Sequence, residues 1–227
     1  MHIILLIIFV FSLLIGPQWW ASRTMKRYQK EIESMPGTGG ELAQHLIEQY
    51  KLDVKLETTE LGDHYDPDSR TVRLSPANYN RKSLTAIAVA AHEVGHAMQH
   101  ARNEPLFNRR TQLARFAIFA QKAGSATLLM IPLIGGILRL PSISIIMAAA
   151  GFGTMLIASL VHLITLPVEW DASFGKAMPV LRQGQYINQK QEKAVRKILQ
   201  AAALTYVAGS LASMLNLWRW IAIFRRR

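Results

Sequence analysis

The sequence predicts a mainly α-helical membrane protein with about four transmembrane helices and one α+β region that contains a small β-sheet. Half of the 227 residues are hydrophobic and only 18% are charged, whereas about a quarter of the residues in a soluble domain are charged. Uncharged stretches long enough to cross a bilayer recur along the chain. Between the first two lies a region of alternating and turn-forming residues, a pattern typical of strands.

The chain is strongly basic, with a formal net charge of +11, and it has no cysteine. Many lysines and arginines flank the apolar stretches, namely Arg23, Lys26, Arg27, Lys30, Arg225, Arg226 and Arg227. This placement favours a lipid bilayer over nucleic acid as the partner, since the basic residues are not interleaved with aromatic ones. Without cysteine, disulfides and thiolate metal sites are excluded. Any bound metal would need His, Asp or Glu.

Four segments have the length and apolar character of bilayer spans: 3–20, 116–138, 142–168 and 198–224. The first is interpreted as an anchor, because no basic segment precedes it and no small-residue cleavage site follows, as a signal peptide would require. A short connection between the second and third predicts a hairpin. The chain is thus divided into an anchor at 1–20, a soluble region at 21–115, a hairpin at 116–168, a helical region at 169–197, and a last span with a basic tail at 198–227.

The hairpin would place the regions 21–115 and 169–197 on the same side of the membrane. Lysines and arginines are more frequent near the membrane ends of these regions than on the opposite side, although the three C-terminal arginines oppose the trend. Because basic residues accumulate in the cytoplasm, the sequence predicts a multi-pass protein of the cell membrane with both regions on the cytoplasmic side.

Within the soluble region, residues 38–51 predict a helix that Thr38 caps. Alternating residues at 54–58 and 71–75, with turn formers at 62–69 between them, predict a β-hairpin or a small sheet. Ser83 is the predicted cap of a long helix that runs to about Gln99.

This long helix carries the sequence His92-Glu93-Val94-Gly95-His96. Residues four apart lie on one helix face, so both imidazoles can reach one metal ion, and Glu93 projects from an adjoining face. Zinc lowers the pKa of a bound water to about 7, and Glu93 could accept its proton and pass it to a leaving amine. A chance histidine pair is the alternative, but burying such groups without a metal is costly. The pattern predicts a zinc-dependent metallopeptidase with Glu93 as the catalytic base.

A catalytic zinc usually has a third protein ligand. His100 follows His96 by four residues, but three histidines at successive steps spread along a helix, so it is the weaker candidate. Glu169, directly after the predicted hairpin, is the favoured third ligand, and an ordinary interfacial carboxylate is its alternative reading. Asp171 would then orient a ligating histidine. His162 could serve the site or form a structural hydrogen bond.

The sequence resembles the neutral zinc metallopeptidases, a family of zinc-dependent membrane proteases of bacteria. The resemblance lies in Asp63-His64-Tyr65-Asp66-Pro67, Val72-Arg73-Leu74-Ser75, the block 90–97 around the histidines, Leu166-Pro167-Val168-Glu169 and Asp171-Ala172-Ser173.

The resemblance implies a zincin-like, gluzincin-type catalytic domain that binds Zn²⁺ through His92, His96 and Glu169 and cleaves membrane-associated or misfolded proteins. Related heat-shock and CAAX-processing peptidases place an acidic residue four positions after the ligating glutamate, where this sequence has Ser173. The resemblance also suggests that the strand 71–75 is an edge strand that binds extended substrate.

Two other classes of function compete with the peptidase. A non-catalytic membrane scaffold could hold a structural zinc, but it would not need Glu93. A metal or lipid transporter would need more ionisable residues in its spans than Lys122 and His162. The sequence does not identify the substrate or the oligomeric state.

Overall fold

The computed structural model of the chain describes residues 16–138, 146, 149, 153, 161 and 165–205. The chain divides into two compact units, and each is considered by itself. The unit of interest for function consists of Ile15–Asn108 and Leu166–Thr205; the other consists of Met1–Leu14, Arg109–Thr165 and Tyr206–Arg227. The described chain is mainly helical with one small sheet, as predicted. The division of the chain into five segments, from the anchor at 1–20 to the last span and tail at 198–227, stays a prediction.

Residues 16–27 are helical, and the next helix, Gly39–Gln49, begins where the sequence predicts. The Thr38 hydroxyl accepts a hydrogen bond from the backbone N–H of Glu41 at 3.1 Å, and the Glu41 carboxylate accepts one from the N–H of Thr38 at 2.7 Å. This reciprocal pair satisfies two backbone donors that a helix start leaves without partners. The predicted apolar stripe is buried at Leu42, Leu46 and Ile47.

The sheet has three strands, β1 (Lys55–Thr58), β2 (His64–Asp66) and β3 (Thr71–Leu74), in the order β1-β3-β2. β1 and β3 are parallel, and β2 is antiparallel to β3. The prediction of a small sheet is confirmed, but a hairpin between 54–58 and 71–75 is wrong, because the segment between them contributes a strand of its own. The suggestion that 71–75 is an edge strand is also wrong, since β3 uses its backbone groups on both sides.

Ion pairs brace all three strands. The Arg73 guanidinium on β3 donates to the Asp66 carboxylate on β2 at 2.8 Å and to the Glu57 carboxylate on β1 at 3.1 Å. Because Arg73 carries several donors in a fixed plane, it can hold both neighbours at once. A short helix, Pro76–Asn80, then leads from β3 to the central helix.

The central helix, Leu84–Ala101, is the motif helix, because it carries His92 and His96. Its predicted cap is confirmed, since the Ser83 hydroxyl accepts from the backbone N–H of Ala86 at 3.1 Å. Every residue from Leu84 to Gln99 is buried. Small residues permit this close packing, and a Cβ atom at Gly95 would lie only 2.9 Å from the carbonyl oxygen of Ala172.

The neighbour at Gly95 belongs to a continuous helical segment, residues 165–183. This segment contains a π-helical turn, Asp171–Ala177, followed by the helix Met178–Gln183. Residues 189–205 form a further helix. The core of this unit includes Leu46, Val72, Leu74, Val94, Phe107, Val168, Leu181, Val195, Ile198 and Leu199.

The prediction of about four transmembrane helices is wrong for the part of the chain that the structure describes, where no helix combines the length and apolar character that a bilayer crossing needs. The predicted span 116–138 falls within a longer helix, Pro105–Leu138. Within this predicted span, Gln121, Lys122 and Ser125 lower the mean hydropathy of the helix. Of the other predicted spans, residues 3–15, most of 142–168, and 206–224 lie outside the described residues.

Candidate metal centre

His92, His96 and Glu169 come together at one buried point. Nε2 of His92 and Nε2 of His96 each lie 3.1 Å from the same carboxylate oxygen, Oε2 of Glu169. One possible ligand atom from each residue lies within 4.8 Å of the others, and this is the group that could hold a metal ion among the described residues. Glu169 is fully buried, and the two histidines are nearly so.

Local structure explains how the chain builds this point. The two histidines are one helical turn apart on the motif helix, so their rings project from the same face with centroids 4.7 Å apart. Glu169 lies two residues before the π-helical turn. A π-helical turn shifts the side-chain register of a helix and is frequent at functional sites. The close approach at Gly95 brings this segment against the motif helix.

The donor atoms fit zinc, which binds imidazole nitrogens and carboxylate oxygens in catalytic sites. A buried carboxylate also needs positive or donor partners to stay ionised. Burial raises the pKa of Glu169, but the two neighbouring imidazoles outweigh this and hold the pKa well below its ordinary range. The site therefore presents an ionised carboxylate beside two imidazole nitrogens.

Glu93 is buried next to this group, on the same helix. Burial raises the pKa of the Glu93 carboxyl to about 7, and the nearby carboxylates of Glu169 and Asp63 act in the same direction. The imidazole of His92 and the backbone N–H of Tyr65, on β2, act in the opposite direction and lower the pKa of this carboxyl.

Two polar side chains that the sequence did not predict contact the outer nitrogens of the histidines. Oγ of Ser173 lies 3.1 Å from Nδ1 of His92, and Oε1 of Gln99 lies 2.9 Å from Nδ1 of His96. Ser173 occupies the position four residues after Glu169 where related peptidases have an acidic residue. This spacing is the signal from which a contact between Ser173 and a histidine could have been predicted. Gln99 follows His96 by three residues, a spacing that by itself indicates nothing specific.

The remaining sequence candidates lie elsewhere. Asp171 was expected to orient a ligating histidine, but its carboxylate accepts instead from Nε2 of Gln99 and Nζ of Lys176, both at 2.8 Å. Nδ1 of His100, the weaker candidate for the third ligand, lies 2.8 Å from the Tyr65 hydroxyl, and its ring stacks on Phe107. His162 lies outside the described residues.

Comparison with known proteins points to one family. The family described as “Putative neutral zinc metallopeptidase” matches residues 3–225. The chain is 39% identical over 229 residues to the “Putative membrane protease YugP” of Bacillus subtilis (strain 168), which covers 97% of each chain. No solved structure matches.

Proposed function

Since this chain belongs to the neutral zinc metallopeptidase family, we propose that it is a zinc-dependent endopeptidase of the gluzincin type. Its substrates would be membrane-associated or misfolded proteins. The observation that carries the proposal is the convergence of His92, His96 and Glu169 at one buried point beside Glu93. A structural zinc site would not need a second buried acidic residue, Glu93, beyond its ligand Glu169.

In this proposal His92, His96 and Glu169 hold the zinc. When bound, zinc supplies a Lewis acid that acidifies water and polarises a carbonyl group. Three protein ligands leave a coordination position open for the reaction, as in other catalytic zinc sites. The charge of the Glu169 carboxylate, which is fully buried, would also offset part of the metal charge.

Glu93 would act as the general base and then as the general acid. Its carboxylate accepts a proton from the attacking water and delivers that proton to the amine that leaves. The backbone N–H of Tyr65, on the edge strand β2, lowers the pKa of this carboxyl and so favours the ionised form that accepts a proton.

We also propose that the protein works at the cell membrane, because a relative that is 39% identical is named a membrane protease. The basic residues Arg23, Lys26 and Arg27 favour the cytoplasmic side for the catalytic unit. A reporter fused after residue 100 should then give a cytoplasmic signal in cells. A signal from the other side of the membrane would contradict this orientation.

Glu93→Gln tests the catalytic role directly. The variant keeps the shape of the side chain but cannot accept a proton, so cleavage of an unfolded protein should fall by roughly a hundredfold or more. Zinc content should remain that of the wild-type chain. Glu60→Gln, a change at an exposed residue, is the matched control and should leave cleavage unaltered. Unchanged cleavage by the Glu93→Gln protein would remove Glu93 from the mechanism.

Glu169→Ala tests the metal ligand set. The purified variant should retain less zinc than the wild-type chain, because it removes the carboxylate that both histidines share. Elemental analysis of dialysed protein measures this loss. Full zinc occupancy in the variant would show that another residue, such as His100, completes the site.

A further inference from the structure

The amide of Gln99 is fully buried and has a defined partner at each polar atom. Its Nε2 donates to the carbonyl oxygen of Val168 at 3.0 Å and to Oδ2 of Asp171 at 2.8 Å. A carbonyl oxygen and an ionised carboxylate can only accept hydrogen bonds. The NH₂ group must therefore face these two atoms, and the amide cannot be turned over without losing both bonds.

This fixed orientation has a consequence for His96. With its nitrogen committed, Gln99 presents Oε1 to Nδ1 of His96 at 2.9 Å. Because Oε1 can only accept, Nδ1 must carry a hydrogen. The ring nitrogen left for a metal is then Nε2, which points at Glu169. A ligating histidine is commonly fixed in this way by a partner on its other nitrogen.

We propose that Gln99 is the positioning residue that determines which nitrogen of His96 faces the metal, and that Asp171 holds Gln99 in the required orientation. The inference rests on the proposed function in one respect, namely that His96 is a zinc ligand. It gives Asp171 a role through Gln99 rather than through a histidine.

The far end of this chain of hydrogen bonds is also fixed. Nζ of Lys176 lies 2.8 Å from Oδ2 of Asp171 and 3.0 Å from Oε1 of Glu104. Lys176 thereby links the π-helical turn to the loop that follows the motif helix. A Cβ atom at Gly175 would meet the Asp171 carboxylate, so glycine at this position leaves room for the carboxylate in its present orientation. The ion pair with Lys176 holds the carboxylate beside Gln99.

The two histidines differ in this respect. The partner of His92 is the hydroxyl of Ser173, which can donate or accept. That hydroxyl can adapt to either form of the ring, whereas the Gln99 amide cannot. The structure therefore assigns the stricter control to His96.

Gln99→Met removes the amide while keeping the length of the side chain. The zinc affinity of the full-length protein, measured by competition with a chelator, should fall by about 10- to 100-fold. In zinc-loaded protein with ¹⁵N-labelled histidine, the Nδ1–H of His96 should exchange with water at least about tenfold faster. Gln44→Met, at an exposed residue of another helix, is the control and should change neither quantity. Unchanged affinity and unchanged exchange in the Gln99→Met protein would overturn the proposal.

A second pair of variants tests the proposal even if Gln99→Met does not fold. Asp171→Asn should lower zinc affinity in the wild-type background, because it weakens the acceptor that orients Gln99. In the Gln99→Glu background the same change should raise zinc affinity. There the carboxylate of Asp171 repels the carboxylate introduced at position 99, whereas the amide introduced at position 171 can donate a hydrogen bond to it. This reversal of sign requires direct contact between the two side chains. If Asp171→Asn lowers zinc affinity in both backgrounds, Asp171 has a structural role only and the proposal fails.

These measurements separate the inference from the proposed function. Zinc affinity and exchange at His96 can follow the expected pattern in a protein that cleaves no peptide, which would contradict the peptidase and leave the role of Gln99 intact. Conversely, if the Gln99→Met protein binds zinc normally and cleaves fully, the role proposed for Gln99 is contradicted and the proposed peptidase activity is not.

Discussion

The close approach at Gly95 gives a sharp test of how the site is assembled. In Gly95→Ala, the new Cβ atom would lie 2.9 Å from the carbonyl oxygen of Ala172 and 3.3 Å from Cβ of Lys176. The first contact is about 0.5 Å shorter than ordinary van der Waals contact, which begins at 3.4 Å. Since the first obstacle is backbone, it cannot rotate away. The motif helix and the segment 165–183 must move apart.

Two energies oppose each other in this variant. Alanine is favoured over glycine in a helix interior by about 1 kcal/mol. Overpacking a filled core costs about 1–3 kcal/mol. We therefore expect the metal-free protein to lose roughly 1 kcal/mol of unfolding free energy, the difference between these two magnitudes.

The metal site should suffer more than the fold. Ala172 follows Glu169 by three residues in one continuous helical segment, so a movement of about half an ångström is passed to the carboxylate. Functional constellations tolerate displacements of only about 0.5 Å. Zinc affinity should fall by about tenfold or more, which is at least about 1.4 kcal/mol in binding free energy.

The assay compares zinc competition and chemical unfolding in the presence of a chelator for both proteins. Gly16→Ala is the matched control, because a Cβ atom there meets nothing within 4 Å. It should leave zinc affinity unchanged. The reasoning is refuted if Gly95→Ala binds zinc as tightly as the wild-type chain and unfolds at the same or higher denaturant concentration. The preference of alanine for a helix would then account for the stability of the variant without any steric conflict.

Two further variants test contacts around the sheet and the histidines. Hydrogen bonds from Arg73 hold the pKa of Asp66 well below its ordinary range. The ionised Asp66 carboxylate therefore stabilises the fold fully above the unfolded pKa of about 4, and this contribution is lost as the pH falls through the folded pKa. Asp66→Asn should cost roughly 1 kcal/mol at pH 7, and a gap in unfolding free energy that does not narrow below pH 4 would contradict this reasoning. Ser173→Ala removes the buried partner of His92 and should weaken zinc binding by about tenfold; equal affinity by competition would show that the hydroxyl does not hold the ring.

Local patterns in the sequence predicted the local structure well. Thr38 and Ser83 cap helices where expected, because a capping side chain acts on a backbone N–H only two or three residues away. The placement of His92 and His96 on one face follows from helix geometry alone. Glu169 was also predicted, from the need for a third zinc ligand and its position directly after the predicted membrane hairpin and then from the family resemblance, and the structure brings it to the histidines.

Features that depend on long-range packing were not predictable in the same way. The parallel pairing of β1 with β3 requires β2 to be left on the outside of the sheet, and nothing in the alternating pattern of these strands encodes that choice. The contact between Gln99 and Asp171 joins residues 72 positions apart. It depends on the π-helical turn, which no local propensity distinguishes from an ordinary helix.

The prediction of a bilayer span at 116–138 gave too little weight to polar residues inside the stretch. Gln121, Lys122 and Ser125 lie within it, whereas a crossing needs about 20 predominantly apolar residues. No described helix, Pro105–Leu138 included, has the apolar character that a crossing needs.

The separation of Glu169 from the histidines also bears on how the protein is made. The carboxylate follows His92 by 77 positions, and most of the intervening chain, Arg109–Thr165, belongs to the other unit. Protein synthesis proceeds from the N-terminus, so a nascent chain carries both imidazoles and the proposed base long before it carries Glu169, the proposed third ligand. The ligand set would therefore be completed only after the other unit's central stretch has left the ribosome. A peptidase arranged in this way would stay inactive until most of its chain had been translated.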